Sequence, residues 1–164
     1  MTQNPYSSCQ PINNLHSPFA QLFIEIQERI KAEVPAIQWC DQWWGQEQLE
    51  YRPAVAFPAL LIDFPNTTFS AESQDSLFAI VNISIRLLCD SLSSSAASAT
   101  DASRADALQY YELEHNIIAA LHCFTPTPCC QSLTLTGITS ENRNPEYRIR
   151  NLSFSTAYEL DVIP

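Results

Sequence analysis

This sequence has little glycine and little positive charge. It contains two glycines, Gly45 and Gly137, and only eight lysines and arginines in 164 residues. Two isolated glycines cannot build the glycine-rich loops that cradle phosphate groups, which excludes the common nucleotide-binding motifs. The net charge of −10 argues against a sequence-independent grip on nucleic acid, because that binding depends on clustered cations. The two shortages therefore disfavour nucleotide chemistry and nucleic-acid binding.

Long apolar runs are also missing. No stretch approaches the roughly 18 apolar residues that span a membrane. The opening MTQNPYSSCQPINNLHSPF is polar and lacks the apolar centre of a secretory signal. We therefore expect no membrane association and a cytoplasmic location, where thiols stay reduced. The six cysteines are accordingly expected to be thiols rather than a disulfide framework.

Catalytic and metal-binding patterns are absent as well. There is no G-x-S-x-G motif, and the vicinal pair Cys129 and Cys130 has no nearby cation that would lower a thiol pKa. His115 and His122 are seven residues apart, and adjacent cysteines are awkward partners for a tetrahedral metal site. We expect no metal, no cofactor and no catalytic residue, and predict that the protein is not an enzyme.

Two amphipathic helices are predicted. Ser17 and Pro18 are typical of a helix start, and apolar residues recur at helical spacing until Pro35 ends the segment. A second helix is predicted from about residues 100–103 to about Cys123. Residues 1–16 are interpreted as a flexible N-terminal arm, and 17–164 as a single domain.

Several strands surround the helices in the sequence. The segment from Ala59 to Phe64 is apolar and bracketed by prolines, and LFAIVNISIRLL alternates at period two. SLTLTG and YRIRNLSFSTAYELDV predict two more strands, and the segments 66–76 and 90–103 are predicted loops. The resulting fold class is α+β: an antiparallel sheet of about four to five strands with two helices packed on one face.

The stretch IQWCDQWWGQ holds all three tryptophans. A nucleic-acid stacking platform needs a positive groove beside its aromatic rings, and the surrounding charges are mainly negative. We expect Trp39 and Trp43 to be core residues beneath the helices, and Trp44 to lie on the uncovered face. Trp44, Arg52 and Arg86 are the predicted interface residues, since exposed tryptophan and arginine are enriched at protein interfaces.

The order of these segments resembles the tail-terminator or tail-completion proteins of the bacteriophage head–tail neck, of Bacteroidetes phage or prophage type. The resemblance covers residues 17–162 and is carried by WCDQWWGQ, RPAVAFPALLIDF, YYELEHNIIAALHCF and EYRIRNLSFSTAYEL. It implies a helix-covered antiparallel sheet and a non-enzymatic structural role. Proteins of this kind form rings, commonly hexamers, that end the tail tube and join it to the head.

The resemblance also implies partners and a location. These are further copies of the chain, tail tube and neck proteins, and DNA only as passing cargo that is not bound. The protein would occupy the host cytoplasm during assembly and then the virion tail. We hypothesise that Glu72, Asp75, Asp90 and Asp101, in the two predicted loops, face the lumen or the tube, where negative charge avoids retaining DNA.

Two other interpretations stay open at this level. An acidic stand-alone protein-binding module that mimics the charge of DNA predicts a monomer or dimer with carboxylates arrayed on one face. An enzyme with an unrecognised site predicts a deep pocket, for which Asp63 and His115 are the candidates.

Overall fold

In a computed structural model, the chain is described over residues 17–46, 55–71, 76–90, 93–141 and 147–161. These residues form two helices and five strands: three strands follow the first helix and two follow the second. In chain order the elements are α1 Pro18–Glu33, β1 Trp39–Gln42, β2 Ala59–Ala71, β3 Ser76–Cys89, α2 Asp101–Leu121, β4 Thr134–Glu141 and β5 Arg148–Asp161. The strands form one sheet in the order β1-β2-β3-β5-β4. Neither helix is long and apolar enough to cross a membrane in the part of the chain described.

The α+β class is confirmed, but the sheet is mixed rather than wholly antiparallel. β2, β3, β5 and β4 pair antiparallel, whereas β1 runs parallel to β2 over four residue pairs. A parallel neighbour needs a crossover instead of a tight turn, and the segment between Gln42 and Ala59 provides that length. The short β1 therefore forms one edge of the sheet and β4 forms the other.

Both helices cover one face of the sheet, here called the front face. α1 contributes Leu22, Ile26 and Ile30, which are fully or almost fully buried, as its apolar spacing predicts. α2 is fixed at its start by Thr100, whose hydroxyl accepts a hydrogen bond from the Ser103 amide at 3.2 Å. The main core lies between these helices and the front side chains of β2, β3 and β5, among them Ile62, Ile83, Ile85, Leu87, Leu152 and Phe154.

The predicted loop 66–76 is wrong over most of its length. Residues Asn66–Ala71 continue β2 and pair with β3 from Leu77 to Asn82. The pairing register shifts between Asp63 and Asn66, around Pro65, which has no amide hydrogen to donate to a neighbouring strand. An irregularity at this point lets a proline sit within a long strand, so a break in the sequence pattern does not end the element.

Two further boundaries differ from prediction. β4 does not end at Gly137 but runs to Glu141, with a second register shift between Leu135 and Gly137. Asp101 was predicted to lie in a loop, yet it is the first residue of α2. A carboxylate there is favourable, because the amide groups at a helix start present partial positive charge.

Candidate assembly interface

The back face of the sheet, opposite the helices, is covered only in part by the chain itself. Near one end, the buried residues Ala59, Leu61, Leu88, Tyr147 and Ile149 form a second, smaller core. Trp43, Val55 and Phe57 are half-buried and pack against this cluster, so these three side chains cover the end of the back face. This small core fixes the tryptophan stretch against the sheet.

Two of the three tryptophans, Trp39 and Trp43, take positions that differ from those predicted. Trp39 pairs with Ala59 and lies on the back face, with 36% of its surface exposed, so its prediction as a core residue beneath the helices is wrong. Trp43 belongs to the small back-face core rather than to the main one. Trp44 is 58% exposed, as expected for a residue available to a partner. Two large indole rings are thus accessible at the β1 edge.

Arg86 was predicted to lie on the back face, either exposed or covered by another subunit. It lies on that face, but only 7% of its surface is accessible, and its own subunit provides the cover. Its guanidinium lies 4.9 Å from the centre of the Trp43 ring and donates from Nη2 to Glu141 Oε2 at 2.8 Å. Arg86 therefore joins β3 to β4 and to the tryptophan stretch within one subunit. An internal role accounts for its position, and its part in an interface stays a prediction.

The centre of the back face is polar. Asn82, Ser84, Asn151, Ser153 and Ser155 are all half-buried side chains of β3 and β5. The Ser84 hydroxyl donates to Asn151 Oδ1 at 2.7 Å, a bond that ties the two strands together on this face. An uncharged, hydrogen-bonding surface of this kind can be left open to water or covered by another protein.

An exposed aromatic side chain that sequence reasoning missed, Phe69, lies on the front face at the far end of the sheet, beside the buried residues Ala79 and Tyr158. Phe69 of β2 is 53% exposed and pairs with Ala79 of β3, which in turn pairs with Tyr158 of β5. The start of α1, at Pro18 and Phe19, lines a small cavity with these three residues. The segment containing Phe69 reads as polar in sequence, so the aromatic ring gave no signal that β2 extended this far.

The predicted lumen-facing carboxylates can be placed only in part. Asp90 and Asp101 are exposed, and Asp101 lies 3.6 Å from Arg104 in an ion pair at the start of α2. Glu72 and Asp75, together with Arg52 of the predicted interface, lie outside the described residues. Their predicted roles stay predictions.

Two acidic side chains are instead used inside the subunit. Glu114 of α2 receives two hydrogen bonds from Arg150 of β5, at 2.5 Å to Oε2 and 3.1 Å to Oε1. These bonds raise the pKa of the Arg150 guanidinium. Glu141 accepts a single hydrogen bond, from Arg86 Nη2 to Oε2 at 2.8 Å. These two carboxylates are therefore not part of an acidic surface that could imitate DNA.

No catalytic arrangement forms around the residues singled out in the sequence. Asp63 lies on the back face, since it pairs with Ser84, whereas His115 is an exposed residue of α2 on the front side. A shared pocket around Asp63 and His115 is therefore excluded. Within the described ranges, no group of three histidine, cysteine or acidic side chains is placed to hold a metal ion.

Among the five cysteines in the described ranges, one differs from expectation. Cys40, Cys89, Cys123 and Cys130 are free thiols, as predicted. Cys129 is disulfide-bonded, so the expectation that all six are thiols is wrong. Burial raises the pKa of Cys130, with the Thr127 hydrogen bond opposing the shift, so this thiol is not activated as a nucleophile.

Comparison with known proteins gives a match at the level of fold. No family model matches the chain, and no curated protein matches it. Among solved structures, it is similar to a chain from the virion of a native gene transfer agent particle, with a TM-score of 0.55 and 10% sequence identity. The match covers 89% of this chain and 100% of that one. At this identity the likeness shows a common fold.

Proposed function

We propose that the protein is a non-enzymatic structural component of a phage or prophage particle, and in particular a ring-forming tail terminator that joins the tail tube to the head. The observation that carries this proposal is the similarity to a whole chain of a gene transfer agent virion. The segment order that resembles tail-terminator proteins supports the narrower assignment.

The two edges of the sheet differ in a way that suits ring formation. A closed ring of identical subunits with head-to-tail contacts needs two different surfaces on each copy. The two sheet edges differ in this way: the β1 edge carries Trp39 and Trp44, whereas β4 exposes small polar residues such as Thr136 and Thr139. In the proposed ring, the tryptophan edge of one subunit contacts the next subunit, and Trp44 is the main anchor of that contact.

The acidity of the chain fits the same proposal. Asp90 and Asp101 border the segment between β3 and α2, and both are exposed. Facing a lumen, they repel the phosphates of DNA that passes through the ring, and they leave it free to move. DNA is then cargo rather than a ligand.

The deciding experiment measures assembly in solution. The purified protein, alone and mixed with the tail tube protein encoded beside it, is analysed by light scattering and negative-stain microscopy. We expect closed rings of about six copies, alone or on tube ends, as the tail-terminator resemblance implies. A monomer or dimer that ignores the tube protein under both conditions would overturn the proposal and favour the acidic binding module.

A single substitution tests the anchor. Trp44→Ala should reduce the ring population or tube capping by tenfold or more, since an interface tryptophan contributes about 2 kcal/mol or more. Leu108→Ala is the matched control, because Leu108 is 42% exposed on α2 and away from the tryptophan edge. Equal loss of rings in both variants, or in neither, contradicts the assigned role of Trp44.

A further inference from the structure

One stretch of β2 has no neighbouring strand on its outer side among the described elements. β1 pairs only with Ala59–Ile62, whereas β2 continues to Ala71. In the segment 66–71 every residue is exposed except Thr67, which is half-buried. The outer side of this segment, here called the open edge, is a row of backbone groups with which a further strand can pair.

The hydrogen bonds around β2 identify the amides that face the open edge. The Ile62 carbonyl accepts from the Trp43 amide at 2.8 Å, so Ile62 uses the outer side of β2. Backbone groups alternate between the two sides of a strand, and the register shift before residue 66 inserts one residue, which exchanges the alternation. Thr68 and Ser70 therefore face β3. The residues that face the open edge are Thr67, Phe69 and Ala71.

β4, at the opposite side of the sheet, presents Ile138 and Ser140 outward. The Ala157 carbonyl accepts an amide hydrogen bond at 2.8 Å from the segment that precedes β4, so the odd-numbered residues of β5 face the β4 side. Thr139 pairs with Asn151 and faces β5, which leaves Ile138 and Ser140 facing away from the sheet. β4 thus offers a second row of backbone groups.

Both rows are almost without charge. The segment 66–71 has no charged residue, and the only one in β4 is Glu141, which is paired with Arg86 at 2.8 Å. Copies of a chain with a net charge of −10 repel each other, so close approach favours uncharged surfaces. The open edge and β4 are therefore strand edges at which two copies can meet.

The strand directions suit this contact. β2, β3, β5 and β4 pair antiparallel in that order, so β4 runs opposite to β2. Copies in a head-to-tail ring keep a common orientation, and β4 of one copy then lies antiparallel to β2 of the next. The helices of both copies stay on the same side of the joined sheet.

We propose that the open edge receives β4 of a neighbouring copy, so that one continuous sheet runs around the ring. This inference rests on the proposed ring and supplies its second contact surface. Pairing Phe69 with Ile138 of the neighbouring copy brings two apolar side chains together on the front face. The same register places Thr68 opposite Thr139 on the back face, where cross-strand threonine pairs are favourable.

This register staggers neighbouring copies along their strands. Within one copy Ile138 is level with Ile62 and Ile85, whereas in the proposed pair it is level with Phe69 and Ala79. Six residues of β3 separate Ile85 from Ala79, a shift of about 20 Å. Four strands at about 4.8 Å each give roughly 19 Å between copies. The strands are then inclined by about 45° to the ring axis, close to the tilt of strands in closed barrels.

Trp44 lies where this arrangement needs it. β1 runs parallel to β2, and its last residue, Gln42, pairs with Ile62. Trp44 therefore follows at the point where β1 ends and the outer side of β2 becomes free, and it is 58% exposed. A copy seated on the open edge comes against this ring.

The register is tested by a cross-link between copies. Thr68→Cys with Thr139→Cys, in a Cys123→Ser background that removes an exposed thiol, is oxidised with copper phenanthroline. Directly opposed residues of this type have Cα atoms about 4.5 Å apart, within disulfide range. In the matched control Thr134→Cys replaces Thr139→Cys, since it lies on the same strand and face but about 17 Å away. We expect covalent oligomers on the order of tenfold more abundant than in the control, with the bond mapped to positions 68 and 139.

Light scattering on the same samples before oxidation separates this inference from the proposed ring. Rings that form without the bond between positions 68 and 139 overturn the strand pairing and leave the ring in place. The bond in open chains without rings supports the pairing and contradicts closure. Absence of both the rings and the bond overturns both proposals.

Hydrogen exchange gives an independent readout on the wild-type chain. In the ring, the amides of Thr67 and Phe69 should exchange on the order of tenfold more slowly than in the monomer, because they gain partners. The amides of Thr68 and Ser70 are the internal control, since they already face β3 and should not change. Equal exchange of the Thr67 and Phe69 amides in ring and monomer overturns the pairing.

Discussion

The ion pair between Arg150 and Glu114 should be one of the most stabilising polar contacts in the subunit. It joins the last strand to the second helix, and its side chains are only 20% and 10% exposed. Replacing Glu114 by glutamine keeps the shape but leaves the Arg150 charge without its counter-ion. Breaking a buried pair typically costs about 3–5 kcal/mol. Because Arg150 is partly exposed and still contacts the Ser140 hydroxyl, we expect a loss of about 2–3 kcal/mol in the free energy of unfolding.

The assay is urea and thermal unfolding followed by circular dichroism. A domain of this size loses about 2–4 °C of melting temperature per kcal/mol, so Glu114→Gln should melt roughly 4–12 °C below the wild type. The matched control is Glu33→Gln, which removes the same charge from the exposed pair with Arg29, where the side chains are 37% and 48% exposed. Exposed pairs of this kind contribute less than about 0.5 kcal/mol.

A double substitution tests whether the loss of stability comes from the unpaired buried charge or from changed packing around residue 114. The double variant Glu114→Leu with Arg150→Met should recover most of the lost stability, because a buried ion pair is often replaceable by apolar side chains. Glu114→Gln and Glu33→Gln melting within about 1 °C of each other would refute the reasoning. So would a loss in Glu114→Gln that disappears in 1 M salt, which screens exposed charges and not buried ones.

Three further predictions concern the core, a helix start and alkaline pH. Ile85→Ala, at a fully buried position of β3, should lower the free energy of unfolding in urea by about 2–5 kcal/mol, without changing its dependence on urea concentration. A loss under about 1 kcal/mol would contradict this, because it would mean that neighbouring side chains move in to fill the cavity. Thr100→Ala should cost about 1 kcal/mol, because its hydroxyl caps α2, whereas Ser17→Ala should be nearly neutral, because that side chain makes no capping bond to α1. Burial raises the pKa of Cys40 from 9.0 to about 12, so the stability linked to this thiol is complete below pH 9 and is lost as the pH rises towards 12. The fall in urea midpoint above pH 9 should be smaller in Cys40→Ala and unchanged in the exposed control Cys123→Ala.

The sequence predicts the helices and the alternation of the strands. Prediction fails where the structure depends on contacts between residues that are far apart in the chain. Ile83, Ile85 and Leu87 identify the buried side of β3 because their spacing is local. Asn66–Ala71 were predicted as a loop because they are mostly polar. They form a strand because β3 supplies their hydrogen-bond partners, and this pairing outweighs a weak intrinsic preference.

The residues of the candidate interface were also predicted correctly only where local spacing is sufficient. Alternation around Trp39 indicates two faces, but only the register with Ala59 determines that the ring lies on the back. A shift of one residue exchanges the faces of a whole strand, so the pattern alone cannot choose between them. The burial of Arg86 within its own subunit was missed for a related reason, since its counter-ion Glu141 is 55 residues further along the chain.

The position of β3 in the sheet also affects how the protein is made. β3 lies between β2, its neighbour in sequence, and β5, whose paired residues are 59 to 85 positions further along, from Cys89↔Arg148 to Ser76↔Asp161. At synthesis rates of about 5–20 residues per second, one edge of β3 waits roughly 3–17 s for its partner to leave the ribosome. During that time an apolar strand is open to pairing with other nascent chains. The yield of folded protein should therefore depend on the rate of translation, and fast elongation at a low concentration of nascent chains is the condition under which this sheet closes on its own last strand.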